Sequence, residues 1–552
     1  MILKESLAYA IINVIVVFYA NKMKMSNGKG GDEMAIYLNA NKPLENYKSL
    51  YRSKYFVDKS LLIERLSGVI ETSDKYICIT RPRRFGKSSV ADMVGAYYSK
   101  AVDSKEIFDN LNIGKVANYE EHLNKYNVIN ISFNSLSDKG NTYEYYIDRI
   151  RTNLKNDILE KYPEVTVEKY LSMSDLLESL NDKFIFVFDE WDYIFSNNLF
   201  QENQNDFLEF LRDLLKDRPY VALAYMTGVL PIKKYSSGSA LNMFDEFTFL
   251  KDRTFDEYFG FTEDEVMRLC DKNKNISFKE LESWYNGYLT AKGAKVYNPR
   301  SVVKALQNNY CESYWTNTGA MDEVADYLKY NTLEIRDDVI EMVSDGEIDI
   351  IIDEEFRAGQ GTPSTKEEVY SAMIVLGFLS YHDGYLRIPN KELMKEFEKS
   401  LRDKAFGYVS EIIENSRKML KATVGGDTKT VEDILHDIHN SEIPILQYND
   451  ENSLSCVLTL AYLSARDTYR VEREEKTEKG YADFAFHPRR KNDIAFIVEL
   501  KKDETPEVAI SQIIEKEYVK KLRSKNEGKK VLAVAICYDS KNKEHCCRIE
   551  EI

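Results

Sequence analysis

Short apolar runs recur along the first 230 residues, each closed by a polar or turn-forming position. KYICIT (75–80), NVINISF (127–133), KFIFVFDE (183–190) and YVALAYMTG (220–228) show little alternation, the pattern of strands buried on both faces. Between them apolar residues recur at three- and four-residue spacing, as in SSVADMVGAYYSKA (88–101) and LFQENQNDFLEFLRDLLKD (199–217), which predicts amphipathic helices. Strands alternating with helices predict a largely parallel sheet covered on both faces. From about residue 255 to 430 the pattern turns mostly helical. There TPSTKEEVYSAMIVLGFLSYHDGYLRIPN (362–390) predicts a helix and then a small hairpin, a winged-helix-like or lid-like unit. After DTKTVEDILHDIHNSE (427–442) a new unit begins: helix SLSCVLTLAYLSAR, strands YADFAF and DIAFIVELKK, helix PEVAISQIIEKEYVKKLRSK and strand KKVLAVAICYD. That order predicts a compact α/β module.

The first strand runs directly into RPRRFGKSS (81–89), whose Gly86-Lys87-Ser88 fits the end of G-x-x-x-x-G-K-[ST]; Arg81 stands where that pattern has its first glycine. A phosphate loop works because successive backbone N–H groups point inward at the head of a helix. Gly86 permits close approach, Lys87 would reach the β- and γ-phosphates, and the Ser88 hydroxyl would ligate Mg²⁺, with Arg84, Phe85 and Ser89 completing the cradle. The bland alternative is a basic loop before a helix. The strand FIFVFDEWD changes that balance, because it ends in Asp189, placed to hold a Mg²⁺ ion, and Glu190, placed to polarise an attacking water. ALAYMTG ends in Thr227, which could sense the γ-phosphate. Together these point to a nucleoside triphosphate site.

A second group lies near the C-terminus. Asp483 in GYADFAF is followed, after fifteen residues, by Glu499-Leu500-Lys501. Glu499 and Lys501 are two apart on a strand and share a face, while Leu500 points the other way, into the core. Asp483 and Glu499 meeting at a sheet edge can bind Mg²⁺, which activates water at a scissile phosphate, and Lys501 can orient that water or offset developing charge. D-x(n)-E-x-K is short and matches often by chance; the order of elements and the local rise in positive charge support it here. KKLRSKNEGKK (520–530) fits either a phosphate-backbone contact or a solvated helix end. WYNGYLTAKGAKVYNP (284–299) fits a packed corner better than an aromatic surface for bases. His436 and His439, beside Asp433 and Asp437, fit a surface helix better than a metal site.

RPRRFGKS, FDEWD, MTGVLPIKKYSSGSALNMFDEF, EYFGFTEDEV, WYNGY and VYNPRSV occur in this order. Over about residues 33 to 310 the chain resembles the bacterial AAA-ATPase-like family that is often fused to a PD-(D/E)XK nuclease domain. The resemblance implies ATP as the nucleotide and makes Arg81 the family's usual residue. Trp191 stands where Tyr is commoner and Arg300 where Trp is often found, both expected to lie away from the chemistry. Residues 435 to 545 resemble the PD-(D/E)XK nuclease domain found behind that ATPase. This implies Glu474 as the upstream acid, with Glu472 and Glu475 as competitors. It also matches Gln512 and Tyr518 in SQIIEKEY to the family's helix after E-x-K, with Gln512 on the attacking water or the DNA backbone. The architecture expected is α/β: a P-loop NTPase parallel sheet, a helical or winged-helix-like middle and a C-terminal PD-(D/E)XK-type α/β nuclease domain. The boundaries expected are an apolar N-terminal segment (1–32), an ATPase-like domain (33–310), a helical lid region (311–430) and a nuclease-like domain (431–552).

Composition narrows the function. A chain of 552 residues holds roughly two to four domains. The net charge of -16 excludes a uniformly basic nucleic-acid coat protein. From Arg470 to Ile552, however, 19 Lys and Arg face 17 Asp and Glu, so this end is +2 and the rest -18. None of the seven cysteines forms C-x-x-C, the usage of a reducing, cytoplasmic compartment. AYAIINVIVVFYA is apolar over 13 residues, short of the roughly 20 that span a bilayer. Translation beginning at Met23 or Met25 and an N-terminal anchor both stay open. The function expected is ATP binding and hydrolysis with Mg²⁺, coupled to metal-dependent cleavage of nucleic acid, DNA before RNA, in a protein of a class that often forms homo-oligomers. The alternative is an ATP-switched nucleic-acid-binding or scaffold protein whose nuclease fold is silent.

Overall fold

The computed structural model describes residues 35–136, 142–166, 169–232, 240–315, 334–343, 346–352, 355–359, 363, 365–401, 408–440, 458–459, 461–473, 484–489, 493–515 and 530–552. The apolar stretch 8–20 lies outside them.

Five parallel strands form the front sheet: β1 (Tyr76–Thr80), β2 (Asn127–Ser132), β3 (Phe184–Asp189), β4 (Val221–Gly228) and β5 (Asp245–Phe247), in spatial order β2-β3-β4-β1-β5. β1, β3 and β4 are buried at every position, which explains their unbroken apolar runs. Alternate side chains serve two cores. Ile77, Ile79, Ile185, Val187 and Leu223 pack under helices α1 (Lys42–Tyr51) and α2 (Lys87–Tyr98). Cys78, Phe184, Phe186, Phe188 and Met226 pack under α3 (Tyr143–Lys161) and α4 (Gln204–Leu215). Ile79 and Asp189 are both in register with Thr227, so β1, β4 and β3 end at one level. Ligands of open parallel sheets bind outside the carboxyl ends of the strands, and here three candidate motifs meet at that edge.

The middle region holds α5 (Glu263–Asp271), α6 (Phe278–Tyr285), α7 (Pro299–Asn308), α8 (Glu334–Val343), α9 (Lys366–Leu376), α10 (Lys391–Leu401) and α11 (Tyr408–Gly425). It also holds two three-stranded antiparallel sheets, of which the sequence predicted only the hairpin that follows a helix within 362–390. One is β6 (Phe261–Thr262), β7 (Tyr288–Leu289) and β8 (Lys295–Tyr297); the other is β9 (Ile348–Asp349), β10 (Ser380–His382) and β11 (Tyr385–Arg387). Strands of two or three residues are too short to show alternation. α9 ends at Gly377 in a left-handed cap (φ 88°), and the β10–β11 hairpin turns through Asp383 and Gly384, both at positive φ. Trp284, Tyr285, Tyr288 and Tyr297 are all buried, so WYNGY is a packed corner and no stacking surface for bases. At Gly287 (φ 110°) a Cβ would lie 1.6 Å from the Pro389 carbonyl oxygen, which closes that corner onto the hairpin's exit.

One buried carboxylate ties this region together. Glu392 on α10 accepts hydrogen bonds from Tyr314 N (2.6 Å), Trp315 N (2.6 Å) and Ser301 Oγ (3.0 Å). Burial pushes its carboxyl up to about 7, despite those donors. A carboxyl whose folded pKa is raised contributes fully below its unfolded pKa, and the contribution is lost as pH rises through the folded one. Relative to Glu392→Gln, the wild type should therefore lose on the order of 2 kcal/mol of stability between pH 4.5 and 8. Denaturant unfolding of both proteins across that range checks this; parallel pH curves would contradict it.

The back sheet runs in chain order: β12 (Tyr469–Arg473), β13 (Phe484–Pro488), β14 (Ala495–Lys502), β15 (Val531–Asp539) and β16 (Glu544–Glu551). Only β14 and β15 are parallel. One face (Phe486, Phe496, Val498, Leu500, Val534) joins the same apolar core as Met419 of α11 and Val431 and Leu435 of α12 (Thr428–Asn440). The other face (Ile497, Ala533, Ala535) is covered by α13 (Pro506–Glu515). β12 and β16 were not anticipated, and the predicted helix SLSCVLTLAYLSAR ends in a 3-10 turn at Leu463–Asp467. Among the described residues six cysteines are free, and no helix is long and apolar enough to cross a membrane.

Candidate functional site

β1 leads through residues 81–86 into α2, and the loop is held from behind. Arg81 is 1% exposed. Its guanidinium donates to the carbonyls of Thr80 and Phe247 (2.8 Å each), pairs with buried Asp252 and lies 5.0 Å over the Phe259 ring. Asp252 in turn accepts from the amides of Thr254 (2.6 Å) and Phe255 (2.9 Å). Where a glycine-rich loop would have open space, this loop is thus anchored to β5 and to the chain after it. Arg84 (φ 71°) and Gly86 (φ 90°) turn the backbone, and a Cβ on Gly86 would meet nothing within 4 Å, so the loop opens onto free space there. The Phe85 ring is buried edge-on to Phe249 and Tyr288, and its carbonyl accepts from Gly260 N (3.0 Å), so what Phe85 offers a ligand is backbone.

Lys87 is folded under this loop, with Nζ donating to the carbonyls of Arg81 (2.9 Å) and Pro82 (3.0 Å). Burial pulls its pKa down to about 8, against Asp192, Asp189 and Glu190, which favour the charged form. Asp189 is buried at the end of β3. Burial pushes its carboxyl up to about 6, opposed by a hydrogen bond from Ser88, and its Oδ1 has no partner among the described residues. Glu190 follows at positive φ (52°), a strained conformation for a non-glycine residue. Thr227 is fully buried on β4 with its hydroxyl unpartnered among the described residues. It is not among the residues that line the cavity beside the loop.

These elements surround a cavity of about 940 Å³. Arg83, Arg84, Gly86, Lys87, Ser88, Ser89 and Glu190 line it together with Tyr47, Tyr55, Phe56, Tyr258 and Phe261. Charged groups and aromatic rings lining one cleft suit a ligand with a charged tail and a flat ring. Orphaned Asp189 Oδ1, beside the Ser88 hydroxyl, fits a divalent cation on those two residues. Among the lining residues that sequence reasoning missed are Asn134, Asp192 and Arg300. Asn134 follows β2, and Asp192, two beyond Glu190, accepts from Val229 N (3.1 Å), Leu230 N (2.8 Å) and Ser196 Oγ (2.9 Å). Arg300, placed away from the chemistry by its sequence context, lines the cavity from α7. Asp192 could have been found as the last acid of FDEWD; nothing in the sequence marked Asn134.

In the back sheet Glu499 is 0% and Lys501 5% exposed, with Lys501 Nζ 2.9 Å from Glu499 Oε1. They share the face covered by α13, on which Gln512 is half-buried. Asp483, Glu474 and Tyr518 lie outside the described residues, as does 520–529 of the basic stretch; Lys530 pairs with Glu551 at 2.8 Å. Among the described residues no group of three or more His, Cys, Asp or Glu is placed to hold a metal, and His436 is exposed on α12.

Residues 43–237 match the family model of the predicted AAA-ATPases, and residues 449–547 match that of the PD-(D/E)XK nuclease superfamily. A curated protein of Azotobacter chroococcum mcd 1, the "uncharacterized protein in vnfD 5'region", is 26% identical over 285 residues, 50% of this chain and 52% of its own length. The chain thus spans about half the length of that curated relative. Among solved structures, the Walker-type ATPase paby2304 of Pyrococcus abyssi aligns at 13% identity and TM-score 0.33, covering 61% of this chain and 94% of that one. The ORC2 protein of Aeropyrum pernix, in its ADPNP–ADP complexes, aligns at 12% and 0.28, covering 67% and 96%.

Proposed function

From a chain that joins a predicted AAA-ATPase domain to a PD-(D/E)XK nuclease superfamily domain, we infer an ATP-hydrolysing protein whose nucleotide state governs metal-dependent cleavage of nucleic acid. The observation that carries the ATPase half is the meeting of Lys87, Ser88 and Glu190 in one cavity, with an unpartnered Asp189 oxygen beneath Ser88. Lys87 exchanges its two loop carbonyls for phosphate oxygens, and the amides around Gly86 cradle the chain of phosphates. Glu190 orients the attacking water and takes its proton. Ser88 and Asp189 would hold a Mg²⁺ ion, which would offset charge on the phosphate oxygens.

For the nuclease half, Glu499 and Asp483 would hold a divalent metal that lowers the pKa of a bound water. Lys501 would orient the nucleophile and Gln512 would hydrogen-bond the attacking water or the nucleic-acid backbone, with Glu474 as the upstream acid. The apolar core shared by α11, α12 and the back sheet supports a route for coupling. A silent nuclease fold is the second reading, favoured by the closed and buried Glu499–Lys501 pair. Cleavage of DNA and RNA in Mg²⁺ or Mn²⁺, with and without ATP, decides between them. The inference expects Asp483→Ala and Glu499→Ala to cut at least about 100-fold more slowly, and Lys87→Ala to lose the response to ATP. Equal rates for wild type and Glu499→Ala would favour the silent fold. An ATP response unchanged in Lys87→Ala would end the coupling.

A further inference from the structure

Three side chains stand in one row across the back sheet. Lys501 on β14 is in register with Cys537 on β15, and Cys537 with Cys546 on β16. Residues in register share a face of a sheet; here it is the face under α13, where Cys537 packs with Ala509, Ile510 and Ile513. Cys547 points the other way: its partner in register is Ile536, it packs against the opposite core, and its amide donates to Glu432 of α12 (2.8 Å). Residues directly opposite on antiparallel strands have Cα atoms roughly 4.5 or 5.5 Å apart. Both separations fall within the roughly 4.4–6.8 Å that a disulfide spans. Cys546 is exposed and Cys537 buried, so solvent reaches one thiol of the pair and not the other. Burial pushes the Cys537 thiol up to about 12; burial, with Glu432 and Glu544 nearby, also raises that of Cys546. Both thiols therefore stay protonated at neutral pH. Direct oxidation by peroxide is then slow, because the thiolate is the reacting form.

We propose that Cys537 and Cys546 are a modification site: a dithiol that exchanges with a small-molecule disulfide such as oxidised glutathione and closes a reversible cross-strand bond beside Lys501. The sulfur of exposed Cys546 attacks one glutathione sulfur, which expels one glutathione and leaves a mixed disulfide. The Cys537 sulfur then attacks that of Cys546 and expels the second glutathione. Two cysteine thiols are oxidised, one glutathione disulfide is reduced to two thiols, and the two cysteine protons end on the departing sulfurs. The bond joins β15 to β16 at the level of Lys501 on β14. Partly exposed disulfides of this kind are labile, and reducing compartments use them transiently. The site stands whether or not the E-x-K strand cuts nucleic acid.

The test starts from the full chain, fully reduced and then held in excess oxidised glutathione, as wild type, Cys546→Ser, Cys547→Ser and Cys537→Ala. After trypsin, mass spectrometry of wild type and Cys547→Ser should show residues 531–541 linked to residues 544–548, a species that excess reduced glutathione abolishes. Cys546→Ser should show no such link, and Cys537→Ala should stop at a glutathione adduct on Cys546. A link that survives in Cys546→Ser, a bond between Cys546 and Cys547 within one peptide, or the absence of the linked species from wild type would refute the proposal. Should Cys537→Ala fail to fold, the two serine variants decide: equal linkage in both refutes it.

Discussion

Replacing Arg81 by alanine should destabilise the protein by about 3–5 kcal/mol, the loss seen when one partner of a buried ion pair is removed. The reason is what stays behind. The Asp252 side chain is 0% exposed and, although it keeps two backbone donors, it would lose its counter-ion. The carbonyls of Thr80 and Phe247 would each lose a charged donor. Arg81→Lys should recover part of the loss, because an ammonium cannot reach two carbonyls and a carboxylate with one planar fork. Denaturant unfolding of the two variants measures this. A loss under about 1 kcal/mol for Arg81→Ala would mean the pair is not what anchors the loop. This assigns the residue in the usual glycine position to holding the loop, while Arg84 and Lys87 line the cavity.

Glu190→Gln should lower the rate of ATP hydrolysis about 10²- to 10³-fold while leaving ATP affinity within a few-fold. Glu190 lines the cavity, and its carboxylate has no hydrogen bond among the described residues, so exchanging it for an amide removes a proton acceptor without orphaning a buried partner. Steady-state turnover beside equilibrium ATP binding separates the two effects. Equal losses in both would make Glu190 a binding residue. The same substitution should leave the unfolding midpoint almost unmoved, which a structural role at that strained position would not allow.

The carboxyl edge of the front sheet was legible because burial on both faces writes itself as an apolar run, and each run ends where its polar residue begins: Thr80 before the loop, Asp189-Glu190, Thr227. What was not legible follows from the same physics. β5 is three residues long and partly exposed, so it carries no pattern, and the sequence showed Arg81 in the first-glycine position without showing its buried partners. β16 is an edge strand with most residues half-buried or exposed, hence polar in sequence. Arg300 comes to the same cavity as Lys87 only through the chain's path across the middle region; the 212 positions between them hold no local signal of it. In the back sheet the E-x-K strand was found by its alternation, with Leu500 in the core and Glu499 and Lys501 opposite. Their closure into a buried pair could be known only from the packing of α13.

The most direct measurement is Mg²⁺-dependent ATP hydrolysis by the full chain, comparing wild type with Lys87→Ala. Turnover by the wild type that falls at least about 100-fold when the ammonium is removed is the predicted result. Wild-type protein that binds no ATP, or hydrolysis that survives in Lys87→Ala, would contradict the account.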